Sequence, residues 1–372
     1  MNYNLNNNII KNIKVLQLID SLQIGGAEVM AVNIANALHK RGITSHIVVS
    51  RKEGPLNERL LLGVGYLFLN RKKIIDISTL LKFYQYLKKH QINIIHAHAT
   101  SWFLAVLMKI LNPSLKIVWH DHFGDSEKLH QRPVLLLKLA SPFFSSIVSV
   151  NYKLQLWAKN ELHTANCIYL PNFVIPLETL SNSNRGNLKG ESGKRIVCLA
   201  NLRPQKDHYN LLKAFVEVHK QFPDWTLHLI GSKSEVHYYK QLQDYIDQNN
   251  LRKSVVIYEN CTNGSVLLTQ ADIGVLSSQS EGLPLALLEY GWAQLGVVVT
   301  DVGECGEVLQ QGQNGLLVPP NNPQILAEKI VFLIKNEEER MQLGQKLYQR
   351  VVVTYSEEIV IEQLIKKYQQ IG

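Results

Sequence analysis

Only four cysteines occur among the 372 residues, Cys167, Cys198, Cys261 and Cys305, and no two of them form a Cys-x-x-Cys pair. This argues against a disulfide framework and a cysteine-built zinc site, and it suits a reducing cytosol. The sequence has no Asp-x-Asp triplet and no Gly-x-Gly-x-x-Gly turn. The first absence removes a compact carboxylate clamp for a divalent ion; the second weakens a dinucleotide-oxidoreductase reading. Long apolar runs are missing too. The nearest, residues 134–150, is broken by Lys138 and Pro142 and is too short to span a bilayer; it reads as a helix end followed by a strand. Residues 1–11 are rich in asparagine without an apolar core, so a frayed polar tail is expected there, not an export signal. No repeat of solenoid period is present, and no nucleic-acid motif or aromatic stacking pattern accompanies the basic residues.

What is present is an alternation of short β-rich runs with helical periodicity, the pattern of an α/β protein. At 372 residues with 46% hydrophobic and 19% charged residues, the chain is globular and too long for one comfortable core, so two domains are expected. In the first half, strands are predicted at 13–19, 43–50, 92–98, 115–119 and 147–150, with helices at 27–40, 75–89 and 101–111. Residues 181–194, rich in Ser, Asn and Gly, read as a linker. The pattern then restarts, with strands at 195–200, 225–230, 255–258, 272–276 and 297–300 and helices at 209–220 and 235–249. The reading therefore divides the chain into 1–178, a linker at 179–194, a second domain at 195–352, and a final segment at 353–372.

Charge is unevenly shared. Residues 1–178 carry 20 Lys+Arg against 10 Asp+Glu, whereas the remainder has 19 against 21, so the whole basic surplus sits in the first half. Such a surface attracts an anionic partner. Arg71, Lys72, Lys73, Lys82, Lys88 and Lys89 surround one predicted helix. Lys128, Arg132 and Lys138 flank the apolar stretch that includes Leu135, Leu136, Leu137 and Phe143.

The segment Ser280-Glu281-Gly282-Leu283-Pro284-Leu285-Ala286-Leu287-Leu288-Glu289 places two carboxylates across a loop-to-helix junction. Pro284 suits the first helical turn, where its missing N–H costs nothing, and Glu289 follows more than a turn further in. Backbone N–H groups at Gly282 and Leu283, with the positive end of the helix dipole, favour a diphosphate there. Here the chain resembles glycosyltransferase family 4, the retaining enzymes of GT-B fold that carry an E-x7-E motif. The resemblance implies that Glu289 grips ribose hydroxyls and Glu281 faces the donor sugar. It covers nearly the whole chain and implies two Rossmann-like domains facing a central cleft, with the last helix, about 357–370, crossing back to the first domain.

Three further stretches fit that family. In Ala200-Asn201-Leu202-Arg203-Pro204-Gln205-Lys206-Asp207-His208, Lys206 matches the family's diphosphate-binding lysine; its arginine position falls on Asn201, with Arg203 two residues later. Gly25-Gly26-Ala27-Glu28 matches its Gly-Gly-Ala-Glu turn, which faces donor phosphate and acceptor. Val118-Trp119-His120-Asp121 resembles its strand-end pattern, implying that His120 contacts the transferred sugar with Asp121 in support. His122 is then a supporting or acceptor-facing residue. His96 and His98 read as packed or hydrogen-bonded structure, and a metal held by the four histidines is not expected. Gly303 and Glu307, in the loop after the 297–300 strand, are further donor-side candidates, and Cys305 between them is read as structural.

The resemblance thus implies a retaining glycosyltransferase that needs no metal or other cofactor and moves a sugar from a nucleotide donor, with UDP the favoured base, to a hydroxyl of a glycan or lipid-linked acceptor. A GT-B-like epimerase and a non-catalytic sugar-nucleotide-binding subunit are the alternatives. Nucleic acid is not an expected partner. The basic half is expected to rest on the acidic cytoplasmic face of a membrane.

Overall fold

A computed structural model describes residues 12–164, 166–175, 187–233, 235–259 and 264–372. The expected polar tail, the linker up to residue 186 and Cys261 lie outside these. The described chain divides into two compact units, Met1–Asn172 with Glu357–Gly372, and Phe173–Ser356.

The first unit is built on a seven-stranded sheet: β1 (Lys14–Ser21), β2 (Thr44–Lys52), β3 (Gly65–Phe68), β4 (Ile94–His98), β5 (Lys116–Asp121), β6 (Ser146–Ser149) and β7 (Cys167–Tyr169). Their spatial order is β3-β2-β1-β4-β5-β6-β7, and every pair is parallel. Parallel strands need crossovers, which helices Gly26–Lys40, Ile77–Lys89, Trp102–Leu111 and Tyr152–Glu161 supply. Runs such as Val15, Leu16, Leu18 and Ile19 are wholly buried because both faces of such a sheet are covered. The last helix, Glu357–Ile371, belongs to this unit: Val360, Ile361, Leu364 and Tyr368 are buried, and Arg41 Nη1 donates to Glu357 Oε1 at 2.8 Å.

The second unit repeats the plan with β8 (Arg195–Leu199), β9 (Thr226–Gly231), β10 (Val255–Glu259), β11 (Ile273–Leu276), β12 (Gly296–Thr300) and β13 (Leu316–Val318), in the order β10-β9-β8-β11-β12-β13. All pairs are again parallel. In both sheets the order reverses beside the first strand, between β1 and β4 and between β8 and β11. Open α/β sheets bind ligands at such points, outside the carboxyl ends of their strands.

Several features escape the sequence reading. Strands β3, β7 and β13 have three or four residues, too few to display a period. Helices Tyr152–Glu161, Pro323–Lys335 and Glu337–Thr354 were not anticipated either. Pro284 does not open the helical turn; it is the extended residue before it, with ψ of 118°, and the helix runs Leu285–Trp292.

Candidate active site

In the second unit three loops leave the adjacent strands β8, β11 and β12 at their carboxyl ends, and they carry Arg203 and Lys206, Glu281 to Leu283, and Gly303 respectively. The first loop turns tightly. Asp207 adopts a left-handed conformation with φ of 46°, a geometry aspartate tolerates better than most residues, and its carboxylate caps helix His208–Gln221 at the Asn210 N–H. This turn points Lys206 across the switch point. Its Nζ lies 2.5 Å from Glu281 Oε1, which also accepts from Ser278 Oγ at 2.7 Å. Both partners are largely enclosed, with side-chain exposures of 14% and 6%, so water screens the pair poorly and each charge depends on the other. Two residues separated by 75 positions in sequence thus form one unit.

Neighbouring bonds fix these loops. Ser277 Oγ donates to the carbonyls of Lys206 and Asp207, Gln205 Nε2 donates to Ser280 O at 2.9 Å, and the Gln279 N–H donates to Gln205 O at 2.9 Å. Gly303 explains itself sterically: with φ of +58°, a Cβ there would lie 2.2 Å from the Glu281 carbonyl oxygen, so only glycine lets the third loop press against the second. The Glu304 N–H then donates to Gly282 O at 2.9 Å. Glu289 lies in helix Leu285–Trp292, half-buried. Asn201, at the family's arginine position, instead accepts from the Ser232 N–H and ties the ends of β8 and β9 together. Arg203 is half-buried with an unpartnered Nε. Glu307 is held by Arg350 at 3.1 Å. Burial pushes the thiols of Cys198 and Cys305 up, to about 12 for Cys198, so neither supplies a thiolate.

In the first unit the switch point carries Gly25 and Gly26 after β1. Gly25 is the N-cap of helix Gly26–Lys40 without a side-chain cap hydrogen bond, and the Glu28 carboxylate lies against it, 2.3 Å from where a Cβ would sit, so glycine is what fits at that helix start. On β4 and β5 the period-two alternation and the His98↔His120 register place four imidazoles together. His96 and His98 stack at 4.7 Å, His96 and His120 at 5.0 Å, and His120 and His122 lie 4.0 Å apart. His96 Nδ1 meets the Tyr368 hydroxyl at 2.5 Å, while His98 bridges Gln17 Oε1 and His122 Nε2, each at 2.9 Å. Burial, reinforced by the mutual repulsion of neighbouring imidazoles, holds His98 and His120 well below their ordinary value and His96 at about 3; burial alone holds His122 at about 3. The cluster is neutral at pH 7. His96, His98 and His120 bring ring nitrogens within 4.8 Å of one another. The near-parallel rings, however, direct in-plane lone pairs side by side instead of toward one point, which is not how a tetrahedral ion is held.

His120 is fully enclosed and neither of its nitrogens has a partner; half-buried His122 is the member of the cluster that reaches the surface. Asp121 faces away from the cluster's chemistry. Arg132 grips it bidentately at 2.6 and 2.9 Å, and that guanidinium lies over Trp157 and Phe123. The Arg132 side chain is therefore enclosed and not part of a basic surface; the Arg71 side chain is also buried, and Leu137 is core.

Two parallel sheets of this order, each with ligand-ready loops at its switch point, make up the GT-B fold. The comparisons give the family. The model for Glycosyltransferase Family 4 matches residues 24–155, and the one for Glycosyl transferases group 1 matches 181–350. Together these span most of the sequence, and the chain belongs to the family 4 glycosyltransferases. It is 24% identical over 355 residues to an uncharacterized glycosyltransferase of Haemophilus influenzae, covering 93% of this chain and 96% of that one. It is 23% identical to the capsular polysaccharide biosynthesis glycosyltransferase CapH of Staphylococcus aureus, covering 87% and 92%. The crystal structure of Anabaena HepE with UDP-glucose superposes with a TM-score of 0.79 at 18% identity, covering 96% of this chain and all of that one. Among the described residues no helix is long and apolar enough to cross a membrane.

Proposed function

We propose that this glycosyltransferase transfers a sugar from a UDP-linked donor to a hydroxyl of a glycan or lipid-linked acceptor in the building of a cell-surface polysaccharide or glycoconjugate, with retention at the anomeric carbon and without a metal ion. The buried Lys206–Glu281 pair at the β8/β11 switch point carries the reading. As the C1–O bond breaks, negative charge grows on the leaving diphosphate. A cation fixed there by a carboxylate is already oriented and needs little reorganisation to stabilise it. Arg203 and the backbone at Gly282 and Leu283 supply further positive potential, Glu289 holds the ribose, and Gly303 keeps the loop carrying Glu281 in place. In the first unit Gly25 and Gly26 allow the substrate to approach the backbone. The His120–His122 pair, neutral and partly unsatisfied, orients the sugar, and Asp121 acts through its Arg132 clamp on the strand end beneath. The UDP-glucose seen with HepE and the capsule role in the name of CapH support the donor and the pathway class.

The test is thermal stabilisation by UDP, GDP, ADP and CDP, since a ligand that binds the native protein raises its apparent stability by mass action. UDP should give the largest shift; equal or absent shifts with all four would remove the donor assignment. Conversion of the sugar nucleotide with no acceptor present would favour an epimerase instead.

A further inference from the structure

Across β1 from the histidine cluster lies a second polar group that the reaction above does not use. Asp20 ends β1, Ser50 and Arg51 end β2, Arg71 follows β3 and Thr100 follows β4, so four neighbouring strands bring them to the same carboxyl edge. One carboxylate serves all of them. Asp20 accepts from Ser50 Oγ and, at 2.7 Å, from Thr100 Oγ1. With its oxygens engaged, the two arginines stand off: Arg51 Nε is 3.7 Å and Arg71 Nη2 3.6 Å away. Guanidinium forks close on carboxylates at about 2.7–2.9 Å, so Asp20 completes neither of them. Arg71 is the more telling. Its side chain is only 4% exposed, Nη1 is spent on the Ile74 carbonyl at 3.0 Å, and Nε has no partner. Arg51 stands beside it at 46% exposure, near enough that the two cations disfavour one another. The other acid that Arg71 feels, Asp76, is occupied in capping helix Ile77–Lys89 at Thr79 and Ser78. An enclosed guanidinium with an unmet donor beside a second, accessible guanidinium has the chemistry of an oxyanion receptor. The backbone there is also held in an unusual form, since Ala99, between His98 and Thr100, has φ of 49°.

We propose that Arg51 and Arg71 form an anion pocket in the first unit that binds a carboxylate or phosphate group carried by the acceptor. This rests on the reading of the first unit as the acceptor side, and it narrows the acceptor to an acidic one. The donor diphosphate is provided for separately in the second unit, by Lys206.

The experiment uses the full chain with UDP at saturation, which fills the donor site. Sodium malonate and inorganic phosphate are titrated against sodium chloride of equal ionic strength, following the arginine Nε–H signals by proton–nitrogen correlation spectra; loss of a peak in Arg51→Lys and in Arg71→Lys assigns them. Saturable movement of both signals is expected with malonate, phosphate or both, and the stronger of the two names the group. Arg51→Ala should weaken that binding about tenfold, as loss of one charge-assisted hydrogen bond implies. Arg51→Lys should recover only part, because it restores charge without the fork. Arg51 is half-exposed, so its variants keep the test open even if Arg71→Lys does not fold. Shifts no larger than chloride produces, unchanged affinity in Arg51→Ala, or displacement of the anion by UDP would each overturn the proposal. Failure of UDP to bind at all would instead strike the donor reading, and the anion titration without UDP would still decide the pocket.

Discussion

The two units share a strand order and differ in what they place at the switch point. Between β8 and β11 the protein buries a full ion pair, Lys206 with Glu281; at the ends of β4 and β5, beside the β1/β4 point, it gathers four imidazoles that stay uncharged, three of them fully buried. Fixed charge stabilises charge that develops on a leaving diphosphate. A neutral cluster can meet sugar hydroxyls without drawing the anion to the wrong side. In the proposed reaction the same scaffold serves two tasks through electrostatics and not through shape.

Acid should break the contrast most forcefully. Burial holds His96, His98 and His120 far below the 6.5 of an unfolded histidine, and His46 at about 4. Below pH 6.5 the unfolded state takes up protons that the folded state refuses, so stability is greatest above that value and is lost as pH falls toward the folded values. Three fully buried imidazoles correspond to a slope of roughly 4 kcal/mol per pH unit near pH 5. The second unit has two comparable groups among the described residues, His208 and His228, each at about 4. Hydrogen exchange from pH 7.5 down to 5 should show the first unit opening first, and His96→Asn should lower its slope by about one proton. Loss of both units at the same pH would contradict the assignment of this cluster as the acid-labile element.

The next effect lies in the charged site. Lys206→Ala and Glu289→Ala should each weaken UDP binding by about 1.5–3 kcal/mol, the worth of a charge-assisted hydrogen bond, as read by calorimetry. The Glu281→Gln variant sharpens the point: it frees Lys206 from its partner, so UDP affinity should hold or rise while transfer collapses. Unchanged affinity in both folded alanine variants would dissolve the donor site.

Much of this was legible in the sequence, and the misses share a cause. The E-x7-E segment, the Lys206 loop and the glycine turn could be recognised because each is local: a strand end, a few loop residues, a helix start. What joins them could not. The Lys206–Glu281 contact and the Asp121–Arg132 clamp are tertiary, and Asp121 looked available only because nothing in local spacing reveals that Arg132 returns to it. Sequence spacing groups Arg71 and Arg132 with the surface charges for the same reason. Periodicity says little in elements of three or four residues such as β3, β7 and β13, and helices Tyr152–Glu161, Pro323–Lys335 and Glu337–Thr354 escape it too, whereas the segments it does locate have ends in error by a residue or two. In the sequence Gly303 is only a glycine in a loop; that it supports the Glu281 backbone follows from its positive φ and the 2.2 Å contact a side chain would make.

On the neutral side, the His120→Ala variant should cut turnover at least about tenfold, roughly 1.4 kcal/mol, while leaving UDP affinity nearly unchanged, because the cluster is assigned to sugar and not to diphosphate. Comparison with His122→Ala locates the contact. If half-buried His122 alone touches the sugar, its loss will be the more damaging, and the enclosed His120 serves to position it. Wild-type turnover in both variants would leave the cluster purely structural.

The smallest effect concerns the outer surface of the first unit. Ile74, Ile75, Ile77 and Leu81 are exposed beside Lys72, Lys73, Lys82, Lys88 and Lys89, and Leu135, Leu136, Leu139 and Phe143 are exposed near Lys128 and Lys138. Apolar patches rimmed by polar residues mark interaction sites. A membrane rich in acidic lipid would meet both kinds: each lysine near the surface contributes about 1 kcal/mol, and apolar side chains entering the interface add to it. The second unit lacks the basic surplus and should contribute little. Exposed charges are screened over about 8–10 Å near physiological salt, so binding must weaken as ionic strength rises, to the extent that lysines and not isoleucines carry it. Co-sedimentation with acidic and neutral vesicles at low and high salt separates the contributions. Lys72→Ala with Lys73→Ala should reduce binding to acidic vesicles by several-fold and flatten its salt dependence, while Ile75→Ser should weaken binding equally at both salt levels. Absence of binding in all four conditions would detach the basic half from any membrane role and point to a soluble acceptor.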